Sequence, residues 1–129
     1  MVLDAAKVQP DFHRWRGGGL GTTGLSGVAV AFVTYAKPGY PSSNFFGIST
    51  GGSGQLTLVS TATNIPNPRT TIHAVQVTAD SSGNLIVKMD GVQVLNTPVS
   101  LPTNALVGFS GATGGATDIH AVSGINITY

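Results

Sequence analysis

Residues 72 to 95 carry two turn signals so close together that only antiparallel β-structure can use both. Ser81-Ser82-Gly83 separates the apolar-rich runs Ile72–Ala79 and Leu85–Asp90, and the pair Asp90-Gly91 separates the second run from Val92–Leu95. Asp-Gly suits the two central positions of a type I′ hairpin, where both φ angles are positive. A two-residue connection leaves no room for a crossover, so parallel pairing is excluded. The segment therefore predicts a three-strand meander ending near Pro98. Period two puts Val75 and Val77 on one face with His73, and Ile72 and Ala74 on the other. Leu85, Val87 and Met89 alternate with Ile86, Lys88 and Asp90. Apolar residues on both faces suggest a sheet covered on both sides, or one that meets a partner.

The same spacing of short runs and turn residues continues outside this segment. Val28–Tyr35, Phe45–Ile48, Gln55–Ser60, Leu106–Ser110 and Ile119–Thr128 read as further strands. Residues 10 to 27 are Gly-rich and irregular. With 18 glycines and few helix formers, the chain is expected to be all-β, a single domain over residues 1–129 built as an antiparallel β-sandwich.

Charge is scarce and removes several function classes. Only 9% of residues are charged and the net charge is +1, so no basic field invites nucleic acid or an anionic membrane. His13, Arg14 and Arg16 form one short cluster beside a glycine run, which reads as a solvated loop. The apolar run Val28 to Val33 is too short to span a bilayer. Nothing after Met1 has the pattern of a signal peptide. There are no cysteines, so disulfides are excluded. His13, His73 and His120 lie in unrelated segments without ligand spacing, and no metal or other cofactor is expected.

Glutamate is absent from the whole chain, and Asp4, Asp11, Asp80, Asp90 and Asp118 are its only carboxylates. Glycoside hydrolysis uses two carboxyl groups flanking the scissile bond. Asp80 and Asp90 fall in turns, where Asp is favoured for local hydrogen bonds. An enzyme is therefore the less favoured reading. Its best candidate is Asp118 with His120, two apart on an expected strand, where a carboxylate could orient an imidazole. No nucleophile goes with the pair, and the bland reading is a structural hydrogen bond. His73, alone in an apolar strand, reads as a histidine satisfied by a neighbour.

Residues 17 to 48 read GGGLGTTGLSGVAVAFVTYAKPGYPSSNFFGI. This stretch resembles the metal- and sugar-binding core of an L-type, legume-lectin-like domain of the bacterial branch. In that family the strand reads VAVEFDTY, and the next loop carries Asn, Asp-Pro, Ser-Ser-Asn and His before Gly-Ile. Laid on that pattern, the metal and sugar ligands fall on Ala31, Val33, Lys37, Tyr40 and Phe45. Calcium requires oxygen ligands and a transition ion requires imidazole or carboxylate, so the resemblance implies a frame that has lost its metal pair. Further likeness lies in Pro66-Asn67-Pro68-Arg69, Thr71-Ile72-His73 and Met89-Asp90-Gly91-Val92-Gln93-Val94-Leu95. It continues through the run from Val107 to Gly115 and the segment Asp118-Ile119-His120-Ala121-Val122-Ser123. Met1 to Lys7 resembles the end of the strand after the family's Ala-Asp-Gly loop, so the chain resembles only the later part of such a domain.

The resemblance implies a concanavalin-like jelly roll truncated at its N-terminal side, and a secreted protein. It implies a non-catalytic carbohydrate-binding domain, metal-independent or degenerate, with a glycan contacted by Trp15, Gly18, Gly19, Lys37, Tyr40 and Gly114. Two other readings stand beside it: a small enzyme or small-molecule binder reusing the emptied site, and a structural or self-assembly module. A sandwich without its early strands exposes sheet edges. A homo-oligomer is therefore expected, most simply a twofold dimer, unless Met1–Gly19 folds back to cover the gap.

Overall fold

The computed structural model describes residues 4–5, 26–50, 56–113 and 116–128. All regular structure among them is β, with no helix. Strands β1 (Asp4–Ala5) and β2 (Ser26–Gly27) form a two-residue antiparallel pair. Strands β3 (Ala29–Val33), β4 (Phe45–Ser49) and β5 (Leu58–Ala62) form one antiparallel sheet with β4 in the middle. Strands β6 (Val75–Ala79), β7 (Asn84–Met89) and β8 (Val92–Pro98) form a second, with β7 in the middle.

The second sheet is the expected meander. Met89 pairs with Val92 across Asp90-Gly91. The turn residues have φ of 51° and 82°, the left-handed geometry of a type I′ turn. Asp90 is the only non-glycine with positive φ among the described residues. At the other turn, the Asp80 carboxylate accepts the Ser82 and Asn84 amides at 2.9 Å each, and Gly83 adopts φ of 82°. On β8 the partner of Val87 is Leu95 but that of Lys88 is Gln93, so Val94 is an extra, bulged residue. Val59 is bulged on β5 in the same way, between the partners of Ile48 and Ser49.

Alternation sends Val77, Leu85, Val87, Met89 and Leu95 inward, where they share one apolar cluster with Val28, just before β3, and with Val30, Phe46 and Ile48 of the first sheet. Phe32 and Phe46 stack across the strand pair with ring centroids 4.3 Å apart and planes within 6°. The outer face of the β6–β8 sheet has no cover among the described residues: Gln76 and Thr78 are exposed and Ile86 and Lys88 are half-buried. The first sheet differs, because every residue of β4 is buried. Its outward positions meet a second cluster of Ala31, Val33 and Phe45, with Tyr40, Leu56 and Leu58 packed against it. Gly47 makes room there, since a Cβ at that position would lie 2.6 Å from Leu58 Cδ2.

Two expected strands are absent as ladders. Leu106–Ser110 contributes a lone bridge residue at Val107, and 119–128 contributes none among the described residues. Their alternating sequences favour extended chain, but a strand exists only where a neighbour accepts its hydrogen bonds. The expected Gln55–Ser60 strand lies a few residues later, at Leu58–Ala62, and the expected Ile72–Ala79 strand begins at Val75. His73 and Ala74 are instead bonded by the Asp90 side chain of the hairpin turn.

Candidate functional site

The five positions aligned with family ligands meet around one end of the first sheet. Ala31 and Val33 point outward from β3, and Val33 lies opposite Phe45 in the register. The chain then leaves β3 and turns at Lys37–Tyr40, where the Tyr40 amide donates to the Lys37 carbonyl at 2.9 Å. Pro38 supplies a fixed φ inside the turn and Gly39 its φ of 89°. That turn folds the Tyr40 ring edge-on against Phe45, with centroids 5.3 Å apart and planes at 77°. Lys37 Nζ sits 5.4 Å from the centroid of the same ring, within cation–π range. Burial pushes the Tyr40 phenol above its ordinary range. Ala31, Val33 and Phe45 are at most 5% exposed, while Lys37 and Tyr40 remain partly open to solvent.

Chemically this is an apolar floor with one aromatic ring and one cation at its rim. Ala31, Val33 and Phe45 offer no donor to a metal. Among the described residues no group of three or more His, Cys, Asp or Glu side chains could hold one. Trp15, Gly18, Gly19 and Gly114 lie outside the described residues.

A second polar network joins segments far apart in sequence. The Asn67–Thr70 turn has Pro68 at its second position, the Arg69 amide donating to Asn67 Oδ1 at 3.0 Å and Thr70 Oγ1 donating to the Asn67 carbonyl at 2.8 Å. It presents Arg69 Nε to Asp118 Oδ2 at 2.8 Å. Asp118 Oδ1 accepts the Ile119 amide at 2.9 Å. The Arg69 bond, then the amide, hold the Asp118 carboxyl below its ordinary range. Asp118 thus pairs with Arg69 where the sequence pointed to His120. His120 itself lies against Gly111, where an added Cβ would stand 3.4 Å from the His120 Cβ.

The carboxylate–imidazole pair of the structure is Asp90 with His73. Asp90 Oδ2 lies 2.7 Å from His73 Nδ1, and Oδ1 accepts the Ala74 amide at 2.9 Å. The Asp90 amide donates to the Ala74 carbonyl at 2.8 Å. On the far side of the ring, His73 Nε2 is 3.3 Å from the Asn67 carbonyl oxygen. Both ring nitrogens therefore face acceptors, an arrangement that the imidazolium form satisfies on both sides. The hydrogen bond with Asp90 leads the influences that raise the His73 pKa, and the same bond lowers that of Asp90. A general base needs a free ring nitrogen at the reacting proton. His73 has neither nitrogen free, and only 6% of its side chain is exposed. The pair clips the loop before β6 to the β7–β8 turn.

Sequence reasoning anticipated a neighbour for His73 but not its identity, and it did not single out Arg69. Asn67-Pro68 was the available signal for a turn there, and nothing local connects Arg69 to a residue 49 positions on. Comparisons with family models, with curated proteins and with solved structures find no match to this chain.

Proposed function

We propose that this protein is a non-catalytic carbohydrate-binding domain of lectin-like type that works without a metal. In this reading its two sheets form the antiparallel sandwich of a jelly roll. The convergence of Ala31, Val33, Lys37, Tyr40 and Phe45 supports the proposal. They were singled out by likeness along one stretch of sequence to the ligand positions of a single site, and such a site needs them close together. An aromatic ring beside an ammonium suits a pyranose, whose C–H face packs on the ring while its hydroxyls accept from the cation. The enzymatic alternative has less to draw on among the described residues: the sequence has no glutamate, Asp118 is paired with Arg69, and both His73 nitrogens are engaged.

A glycan array probed with and without chelator tests the proposal. The protein should bind a subset of glycans equally under both conditions, and Lys37→Ala and Tyr40→Ala should each weaken that binding several-fold. An array with no bound glycan, or full binding by both variants, rejects it.

A further inference from the structure

The segment after β8 is unlike the rest of the fold. Through Leu101 the chain still packs against the central cluster. Beyond it, Leu106 is 63% exposed, Phe109 41%, Ile119 93%, Val122 61% and Ile125 53%. The segment doubles back on itself, bringing Gly111 against His120, and Arg69 moors it to the body through Asp118. Its sequence alternates as a strand does, yet no ladder forms over residues 108–113 or 116–128. An apolar, neutral arm with no ladder among its described residues is suited to β-augmentation.

A matching seat lies on the same molecule. Among the described residues β6 has only β7 beside it, so its other side is an open edge of the sheet. Open edges are ordinarily guarded by charge, proline or a bulge. β8 has both Pro98 and its bulge, and β5 has a bulge. β6 reads Val-Gln-Val-Thr-Ala, pairs with β7 without a register break, and carries no charged residue. Val75 is 36% exposed along it and Ile72, just before, 93%.

We infer that residues 116–125 of the arm dock on the β6 edge of a second copy of this chain, and that the exchange is reciprocal about a twofold axis. Charge favours a copy over a foreign partner. Asp118, the arm's only carboxylate, is already taken by Arg69, and the whole chain carries a net charge of +1. A charged partner therefore finds nothing to complement, while a second copy offers a neutral strand to a neutral edge. The inference does not depend on carbohydrate binding.

Light scattering on the full chain at micromolar concentration tests it, with two pairs of substitutions at exposed positions. Ile119→Lys with Val122→Lys charges the arm; Gln76→Lys with Thr78→Lys charges the edge. The wild type should have twice the chain mass, and each double variant the chain mass alone, with an unchanged circular dichroism spectrum. Amides of 119–125 and 75–79 should exchange several-fold faster on dilution to the monomer. A monomeric wild type overturns the inference, as does a dimer that survives either pair. Dissociation accompanied by loss of the β spectrum would be decided by the exchange measurement on wild type: no concentration dependence at both segments rejects it.

Discussion

Replacing Thr97 with valine should make the protein more stable. Thr97 lies on the inward face of β8, opposite Leu85 and two residues from Leu95, and is 8% exposed. Its Oγ1 is buried without a hydrogen-bond partner among the described residues. Burying an unpaired hydroxyl costs roughly 1–3 kcal/mol by mutational data. Valine has nearly the same shape and an equal liking for strands, and it exchanges that hydroxyl for a methyl worth about 0.8 kcal/mol when buried. The residue as a whole keeps 8% of its surface exposed, so about half of the combined ~2–4 kcal/mol is taken. A gain of about 1–2 kcal/mol is expected. At ~2.1 cal/mol/K per residue, a chain of 129 residues has an unfolding entropy near ~0.27 kcal/mol/K. Tm should therefore rise by about 4–7 °C. Urea titration should show a higher midpoint at constant slope, which excludes a change in the unfolded state. Thr97→Ser, which keeps the hydroxyl and drops the methyl, should move Tm the opposite way. A Thr97→Val midpoint at or below wild type would falsify the premise that this oxygen is unpaired.

The His73–Asp90 clip should give stability a definite pH dependence. Because the folded-state pKa of His73 is raised, its contribution is full below the unfolded imidazole value of ~6.5 and is lost as pH rises through the folded value. That of Asp90, whose pKa is lowered, is present above the unfolded carboxylate value of ~3.9 and lost as pH falls through the folded one. Urea midpoints should thus fall as pH climbs from about 6 to 8, and His73→Asn should flatten that fall; an identical slope in the variant contradicts the clip. Excess chelator should leave Tm unchanged, since positions 31, 33 and 45 present only hydrocarbon. Elemental analysis finding one calcium or manganese per chain would reverse that expectation.

Legibility in the sequence followed contact distance. The Asp90-Gly91 turn and the β7–β8 pairing were visible because the residues that decide them are adjacent, and their φ requirements are met by residue type. β4 was visible too, though the burial of both its faces was not. Alternation puts Phe45 and Phe46 on opposite faces, and only packing shows that both faces are covered. The expected strand at 119–128 was misleading for the complementary reason, since alternation records a preference for extended chain but not the presence of a partner. Asp90 was read as a turn former, which it is. Its second role, fastening His73 and Ala74, depends on a loop 16 or 17 residues earlier. The cluster around Tyr40 was legible only through likeness to a family, because nothing in Lys37, Tyr40 and Phe45 alone announces that they touch.

The burial of β4 on both faces has a consequence for how this sequence can change over generations. In a strand with one wet face, every second position drifts at little cost. Between Phe45 and Ser49 neither parity has that freedom. The outward cluster also closes a route: a carboxylate introduced at position 31 or 33, or a histidine at 45, would enter a pocket at most 5% exposed. A lone buried charge costs several kcal/mol until a cation neutralises it, and a binding cation needs several such ligands at once. Each single step toward a metal site therefore descends in fitness before any gain appears. The hydrocarbon packing of Ala31, Val33 and Phe45 thus bars this face of the sheet from acquiring a metal one residue at a time.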